Sequence, residues 1–278
     1  MSENKTGELF MTGKSGTIGK HFLKHSDSTF FDVTNRNAAE KWFKERDLLN
    51  ATFLHLAAIV GESQVRSDLK RARDVNVTGT INVAKLALQH GVKRFMFAST
   101  SHIYKPSASA IDEEHEKLPQ NTYSQMKFEA ENELLEIFKD DFDKLVIFRI
   151  FSILDFGTAD YTLGGEVTKG IKNKRNITIK CALDRRDFLS PRTVSNAIKY
   201  CIHSNLVGGF YNICSGEPRT VKEAVEQMLV TVNLPLNFFE FENRNSNSPE
   251  IFGNNSKIIK AVPGIESLLK WELSATKF

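Results

Sequence analysis

Short apolar runs alternate with segments of helical periodicity through the first two thirds of the chain. Residues 8–12, 30–33, 52–58, 94–99 and 145–150 are predominantly apolar and read as buried strands. Between them, 37–46, 73–90 and 123–139 carry apolar residues at helical spacing. Apolar strands separated by helices predict βαβ units, hence an α/β fold with a parallel sheet covered on both faces. Beyond residue 156 the texture changes, punctuated by Gly157, Gly164, Gly165 and Gly170. A further helix is predicted after Pro191 and a further strand over 209–214. Segment 237–249, rich in Asn, Ser, Phe and Glu, reads either as loops around a ligand or as a variable surface.

With 278 residues, the chain suits one large domain, or one domain with a smaller lobe. Its 41% hydrophobic content is enough to build a core, which argues against disorder. Lys and Arg number 37 against 34 acids, and this net +3 is too small for a nucleic-acid surface. The longest apolar stretches, 53–60 and 145–154, are interrupted by His55 and Arg149. Both fall short of the ~20 residues that span a bilayer, so no membrane partner is expected. Cys181, Cys201 and Cys214 have no metal-ligand spacing. They suit reduced thiols in a cytosolic protein without a metal. The polar start carries no secretory signal, which agrees with a cytoplasmic location.

The first predicted strand runs into Thr12-Gly13-Lys14-Ser15-Gly16-Thr17-Ile18-Gly19. Gly13 permits a tight turn, Gly16 lets a pyrophosphate approach the backbone, and Gly19 allows close packing of helix on strand. The N–H groups that open the following helix then face the anion. A triphosphate-binding loop would need a glycine where Glu8 stands, which excludes that motif.

Further motifs follow in order: His55-Leu56-Ala57-Ala58, Asn76-Val77-Thr78-Gly79-Thr80, Phe97-Ala98-Ser99-Thr100-Ser101-His102-Ile103-Tyr104, Tyr123-Ser124-Gln125-Met126-Lys127, Arg186-Asp187-Phe188 and Tyr211-Asn212-Ile213-Cys214-Ser215-Gly216. Together they resemble the extended short-chain dehydrogenases, in particular the NAD-dependent epimerase/dehydratase family of nucleotide-sugar enzymes. The resemblance covers roughly residues 7–225. It implies a Rossmann-type doubly wound parallel sheet with a smaller C-terminal substrate lobe. The expected core is 1–155 with 187–214 returning to it; 156–186 and 215–278 form the lobe. It also implies a nicotinamide cofactor and a homodimer built on the helices that begin near Arg73 and Tyr123.

On that resemblance, Gly13, Ser15, Gly16, Thr17, Ile18, Gly19, Leu56, Ala57, Ala58 and Asn76 would contact the cofactor. Tyr123 and Lys127 are spaced i, i+4 and share one helix face. A nearby ammonium favours a phenolate, so Tyr123 would exchange a proton with a sugar hydroxyl. Lys127 would also hold the nicotinamide ribose. Thr100 stands where the family places a catalytic hydroxyl, with strand termination as its plain structural alternative. His102 occupies a position where relatives carry acid/base groups. It is read either as an acid/base or as a polar wall. Ser101 replaces the aspartic acid of the dehydratases, which argues against 4,6-dehydration. Ser101 and Arg186 complete the expected substrate contacts, and Arg186 matches phosphate oxygens or pairs with an acid of the chain itself.

The adenosine end is less defined. Asp32 would select NAD through a ribose hydroxyl, whereas Lys14 and Arg36 would favour the 2′-phosphate of NADP; NAD is the reading, with NADP left open. The expected function is hydride transfer at a ring carbon of a nucleotide sugar, C4, by a 4-epimerase or 4-ketoreductase. The other reading is a non-catalytic dinucleotide-sensing protein, which needs the glycine turn but not the phenol and ammonium.

Overall fold

Alternation along the strands decides which side chains share a face. Phe10, Phe53, Phe95, Phe97 and Ile147 enter one core, while their neighbours Met11, Leu54, Met96, Val146 and Phe148 enter the other. A buried strand has a side-chain period of two, so one apolar run feeds both faces. The computed structural model describes residues 8–22, 27–28, 31–243 and 250–274.

The elements in chain order are β1 (Leu9–Thr12), β2 (Asp27–Ser28), α1 (Arg36–Lys44), β3 (Thr52–His55), α2 (Glu62–Ser67), α3 (Leu69–Arg73), α4 (Thr80–Gln89), β4 (Arg94–Thr100) and α5 (Thr122–Ile137). Next come β5 (Leu145–Ile150), β6 (Ser152–Ile153), α6 (Leu163–Lys172), β7 (Thr178–Lys180), β8 (Arg185–Leu189), α7 (Pro191–Ile202) and β9 (Gly209–Ile213). The last are β10 (Pro218–Thr220), α8 (Val221–Thr231), β11 (Glu240–Glu242) and α9 (Ser256–Ala261).

The main sheet has the order β2-β1-β3-β4-β5-β9, and all its pairings are parallel. Helices α1, α4 and α5 cover the phenylalanine-rich face, and α7 and α9 cover the other. The chain moves outward from β1 to β2 and then crosses back to β3. This leaves a switch point between β1 and β3, where parallel sheets open a crevice beyond their carboxyl ends.

β6, β8 and β10 form a second sheet, and β7 pairs with β11. Leu154, Phe156, Val167, Ile171, Phe188, Val225, Leu229 and Phe239 bury a separate apolar cluster there. Trp271 donates to the Leu154 carbonyl (3.0 Å), and the Ser274 hydroxyl donates to the Asp155 carboxylate (2.6 Å).

Three expectations change. The second strand is Asp27–Ser28 rather than 30–33. Phe30 lies outside the described residues, and the Asp32 carboxylate folds back onto the N–H and hydroxyl of Thr34, making a turn. The third strand stops at His55, because Ala57 N–H donates sideways to the Thr12 hydroxyl (3.2 Å). Segment 237–249 is not loop throughout. Phe239 is buried in the second cluster and 240–242 is a strand; 244–249 lies outside the described residues.

Among the described residues no helix is long and apolar enough to cross a membrane.

Candidate active site

The glycine turn is shaped by what it excludes. Gly13 has φ +74°, and a Cβ there would lie 2.6 Å from the backbone of Leu56 and Ala57. A Cβ on Gly19 would lie 2.1 Å from the Gly13 carbonyl oxygen. The turn is therefore closed onto itself and onto the end of β3, with bare backbone facing outward. Gly19 packs against the turn itself, and the helix expected after it is described only as the 3₁₀ segment Gly19–Phe22.

Behind this turn runs a buried chain of hydrogen bonds. Ala57 N–H donates to Thr12 Oγ1 (3.2 Å), and Thr12 Oγ1 lies 2.8 Å from His55 Nδ1. His55 Nε2 lies 3.1 Å from Thr80 Oγ1, which gives its proton to the Asn76 carbonyl (2.9 Å). Thr80 can therefore only accept from His55, which fixes the Nε2–H tautomer and makes Thr12 the donor to Nδ1. Asn76 continues the clasp, taking Ile59 N–H on its side-chain oxygen (2.8 Å) and donating to Ile59 O (2.9 Å). It lies in a π-helical turn, 74–79, between α3 and α4. Asn76 thus fixes the loop after β3 from behind and does not line the cavity.

Helix α5 begins with a capping box: the Asn121 side chain accepts Ser124 N–H (2.9 Å), and Ser124 Oγ accepts Asn121 N–H (3.0 Å). Glu62, at the start of α2, adds a carboxylate that accepts the Thr122 hydroxyl (3.1 Å) and Tyr123 N–H (3.3 Å). Partial burial opposes ionisation of Glu62, but bonds from Arg66, Tyr123 N–H and Thr122 hold its carboxyl below the usual range. The first turn of α5, which presents Tyr123, is thereby held from two directions.

These parts converge on a cavity of about 390 Å³. It is lined by Gly13, Gly16, Thr17, Ile18 and Gly19 of the turn, by Leu56 and Ala58 after β3, and by Thr100, His102, Tyr123 and Lys127. Ile150, Phe151, Ser152, Thr158, Tyr161 and Thr162 complete the lining. Thr100 Oγ1 accepts His102 N–H (3.3 Å), which leaves the Thr100 proton free to donate. The Lys127 ammonium lies 4.1 Å above the Phe97 ring.

Burial sets the electrostatics. It pulls Lys127 down to about 7, against the opposing pull of Glu131. It pushes the Tyr123 phenol above its ordinary value, and the Tyr161 phenol adds to this. The expectation of a phenol made acidic by its amine is thus reversed. Burial and the neighbouring phenol set the Tyr123 value, and burial also disfavours the charged form of the Lys127 ammonium. His102 is pulled down to about 4, first by burial and then by the charge of Arg186. It is a neutral imidazole at pH 7, not a group titrating near neutrality.

Other expected residues stand elsewhere. Ser15, Ala57, Ser101, Asp32 and Arg186 do not line the cavity. Ser101 is fully buried, and its hydroxyl lacks a hydrogen-bond partner among the described residues. Arg186 pairs with Asp184 (3.2 Å) rather than with its neighbour Asp187, whose oxygens accept from Ser215 and Gly216. Asp32 is committed to its turn and faces Arg71 at 4.0 Å. Arg36 pairs with Glu40 (2.8 Å). Conversely, sequence reasoning missed Glu62, Asn121, Tyr161 and Thr162. None lies in a recognisable motif, and the local signals are Asn121 and Thr162, polar residues that cap the starts of α5 and α6. Among the described residues no group of His, Cys, Asp or Glu is placed to hold a metal ion.

Comparison with known proteins agrees with this geometry. The family described as "NAD dependent epimerase/dehydratase family" matches residues 9–214. GDP-6-deoxy-D-mannose reductase of Pseudomonas aeruginosa is 25% identical over 243 residues, covering 80% of this chain and 79% of the relative. UDP-glucose 4-epimerase of Vibrio cholerae is 28% identical over 238 residues, covering 81% and 71%. Among solved structures, RMD from Pseudomonas aeruginosa complexed with NADPH superposes with a TM-score of 0.80 at 21% identity, covering 95% of this chain and 98% of that one. The UDP-glucose 4-epimerase of Thermus thermophilus in complex with NAD gives 0.77 at 18% identity, covering 94% and 96%. These structural likenesses show the shared fold. The chain belongs to the NAD-dependent epimerase/dehydratase family.

Proposed function

We propose that this family member is an NAD(P)-dependent oxidoreductase or epimerase acting on a nucleotide sugar at a ring carbon, C4. One observation carries the reading: Thr100, Tyr123 and Lys127 line the same cavity as Gly13, Gly16 and Gly19. Phosphate-approaching backbone and proton-transfer side chains thus meet in one space. The names of the relatives, a GDP-sugar reductase and a UDP-sugar 4-epimerase, support the substrate class.

The turn fits a dinucleotide diphosphate, since Gly13 and Gly19 leave no room for a Cβ and expose backbone alone. Gly13, Gly16, Thr17 and Ile18 would hold that group, and Lys127 the nicotinamide ribose. A bound nicotinamide supplies the hydride acceptor or donor. The residues of the chain handle the proton. Tyr123 Oη takes it from the sugar hydroxyl when the carbon is oxidised and returns it when the carbonyl is reduced. Thr100 donates its free proton to the reacting oxygen and orients it. Lys127, pulled down to about 7 by burial, stabilises the phenolate form when it carries its proton. A phenol that starts protonated favours the reducing direction, in which a keto sugar receives a proton.

The test is incubation with a panel of UDP-, dTDP-, GDP- and CDP-sugars and their 4-keto forms, read by product NMR and by the absorbance of reduced nicotinamide. Epimerisation leaves that absorbance unchanged, whereas net reduction consumes it. No reaction across the panel, with dinucleotide affinity intact, would instead support a dinucleotide-sensing protein.

A further inference from the structure

One buried face of α5 carries Tyr123, Lys127 and Glu131 at successive i, i+4 positions. The first two line the cavity and the third lies beneath them, 1% exposed. The Glu131 carboxylate is taken in a two-pronged bond by Arg149 of β5, at 2.8 Å from Nη2 and 3.3 Å from Nε, and Arg149 is itself 3% exposed. Arg149 is held in turn by Tyr104 Oη (3.1 Å) and the Glu113 carbonyl (3.0 Å), and it stacks 4.3 Å from the Phe210 ring. This guanidinium cannot leave Glu131 without giving up those other contacts in the core.

We propose that Arg149 and Glu131 are positioning residues that set the charge of Lys127, with Arg149 fixing how much of the Glu131 charge the lysine feels. The inference rests on the reading that Lys127 serves the site. Glu131 stands one turn along α5 from Lys127, both buried, and its charge opposes the pull of burial on the lysine. From β4, Lys127 meets the Phe97 ring. From β3, it faces His55, which burial holds neutral, at about 3. On α5, Tyr123 stands one turn before it, and the Glu62 carboxylate, bonded to that first turn, lines the same cavity. Without Arg149, Lys127 becomes the cation left to pair with the buried Glu131 and no longer feels the guanidinium, whereas a Glu131 without charge would leave the ammonium unsupported beside Arg149.

The two substitutions therefore act in opposite directions. Lys127 is followed by the ¹³Cε shift of labelled lysine across pH, its signal identified by loss in Lys127→Met. In Glu131→Gln the midpoint falls by about one pH unit or more. In Arg149→Met it rises by a similar amount; Arg149→Lys, which keeps a cation but loses the fork, gives a smaller rise and serves if the methionine variant does not fold. Both changes disturb the same buried pair, so a purely structural role would not separate them by sign. Midpoints that stay at the wild-type value, or that move together, overturn the proposal. The titration needs no turnover. Opposite shifts without matching movement of the pH–activity profile would leave this inference standing and count against the role of Lys127 in the reaction.

Discussion

The ring of Tyr161 packs against the backbone of Gly61 at the wall of the cavity, where a Cβ on Gly61 would come within 2.7 Å of two ring carbons. The contact joins the loop after β3 to the segment before α6, and both residues line the cavity. Gly61 also has φ +85°, a conformation that costs any other residue roughly 1–2 kcal/mol. Gly61→Ala is therefore expected to lower Tm by roughly 2–6 °C and to weaken nucleotide-sugar binding by displacing the ring. Binding titrations of Gly61→Ala, Tyr161→Ala and the double variant check the cause. The double variant should bind no worse than Tyr161→Ala alone, because the clash has gone.

Tyr123→Phe removes one oxygen and keeps the ring. Turnover is expected to fall by about 10²–10⁴-fold, while dinucleotide affinity and Tm stay near wild type. Steady-state rates beside calorimetric titration with NAD and NADP measure this. A variant with wild-type turnover would remove Tyr123 from the proton-transfer role.

Gly19→Ala places a methyl group where the Gly13 carbonyl stands, so the turn must open. Dinucleotide affinity is expected to fall by at least about tenfold, a loss near 1.4 kcal/mol, with the far-ultraviolet circular dichroism unchanged. Gly157→Ala, at φ +66° with nothing near the Cβ, carries backbone strain without a clash and is the control for destabilisation away from the turn, with dinucleotide affinity expected to hold.

His55 is pulled to about 3 by burial, with a further push from the Lys127 charge. Its folded value lies below the ~6.5 of an unfolded histidine. The stability it contributes is thus intact above ~6.5 and is lost as pH falls from there toward 3, at up to ~1.4 kcal/mol per pH unit. Urea midpoints of wild type and His55→Gln at neutral and acidic pH test the sign. The wild type should lose more stability on acidification than the variant, even though the variant is the weaker at pH 7.

The parts legible in the sequence were those in which a local signal coincides with a tertiary role. Apolar runs gave β1, β3, β4 and β5, because parallel strands buried on both faces need no alternation. The glycine turn and the Tyr123–Lys127 pair were visible because their spacing is itself the geometry. The second strand was misplaced, since Phe31 and Val33 are apolar but Asp32 and Thr34 turn the chain. Asn76 and Arg186 had motif positions that suggested ligands, yet their side chains are engaged by Ile59 and Asp184. Glu62 and Tyr161 reach the cavity only through packing between distant loops, and no sequence window holds both ends of such a contact. The raised Tyr123 phenol was equally hidden, because desolvation depends on everything that surrounds a group.

The relay from Ala57 through Thr12, His55 and Thr80 to Asn76 runs one way: every hydrogen has an assigned owner. Swapping a single member for one of opposite polarity would strand the neighbours on either side. These positions should accordingly drift as a set across related genes, and anyone transplanting the turn into another scaffold has to carry all of them at once.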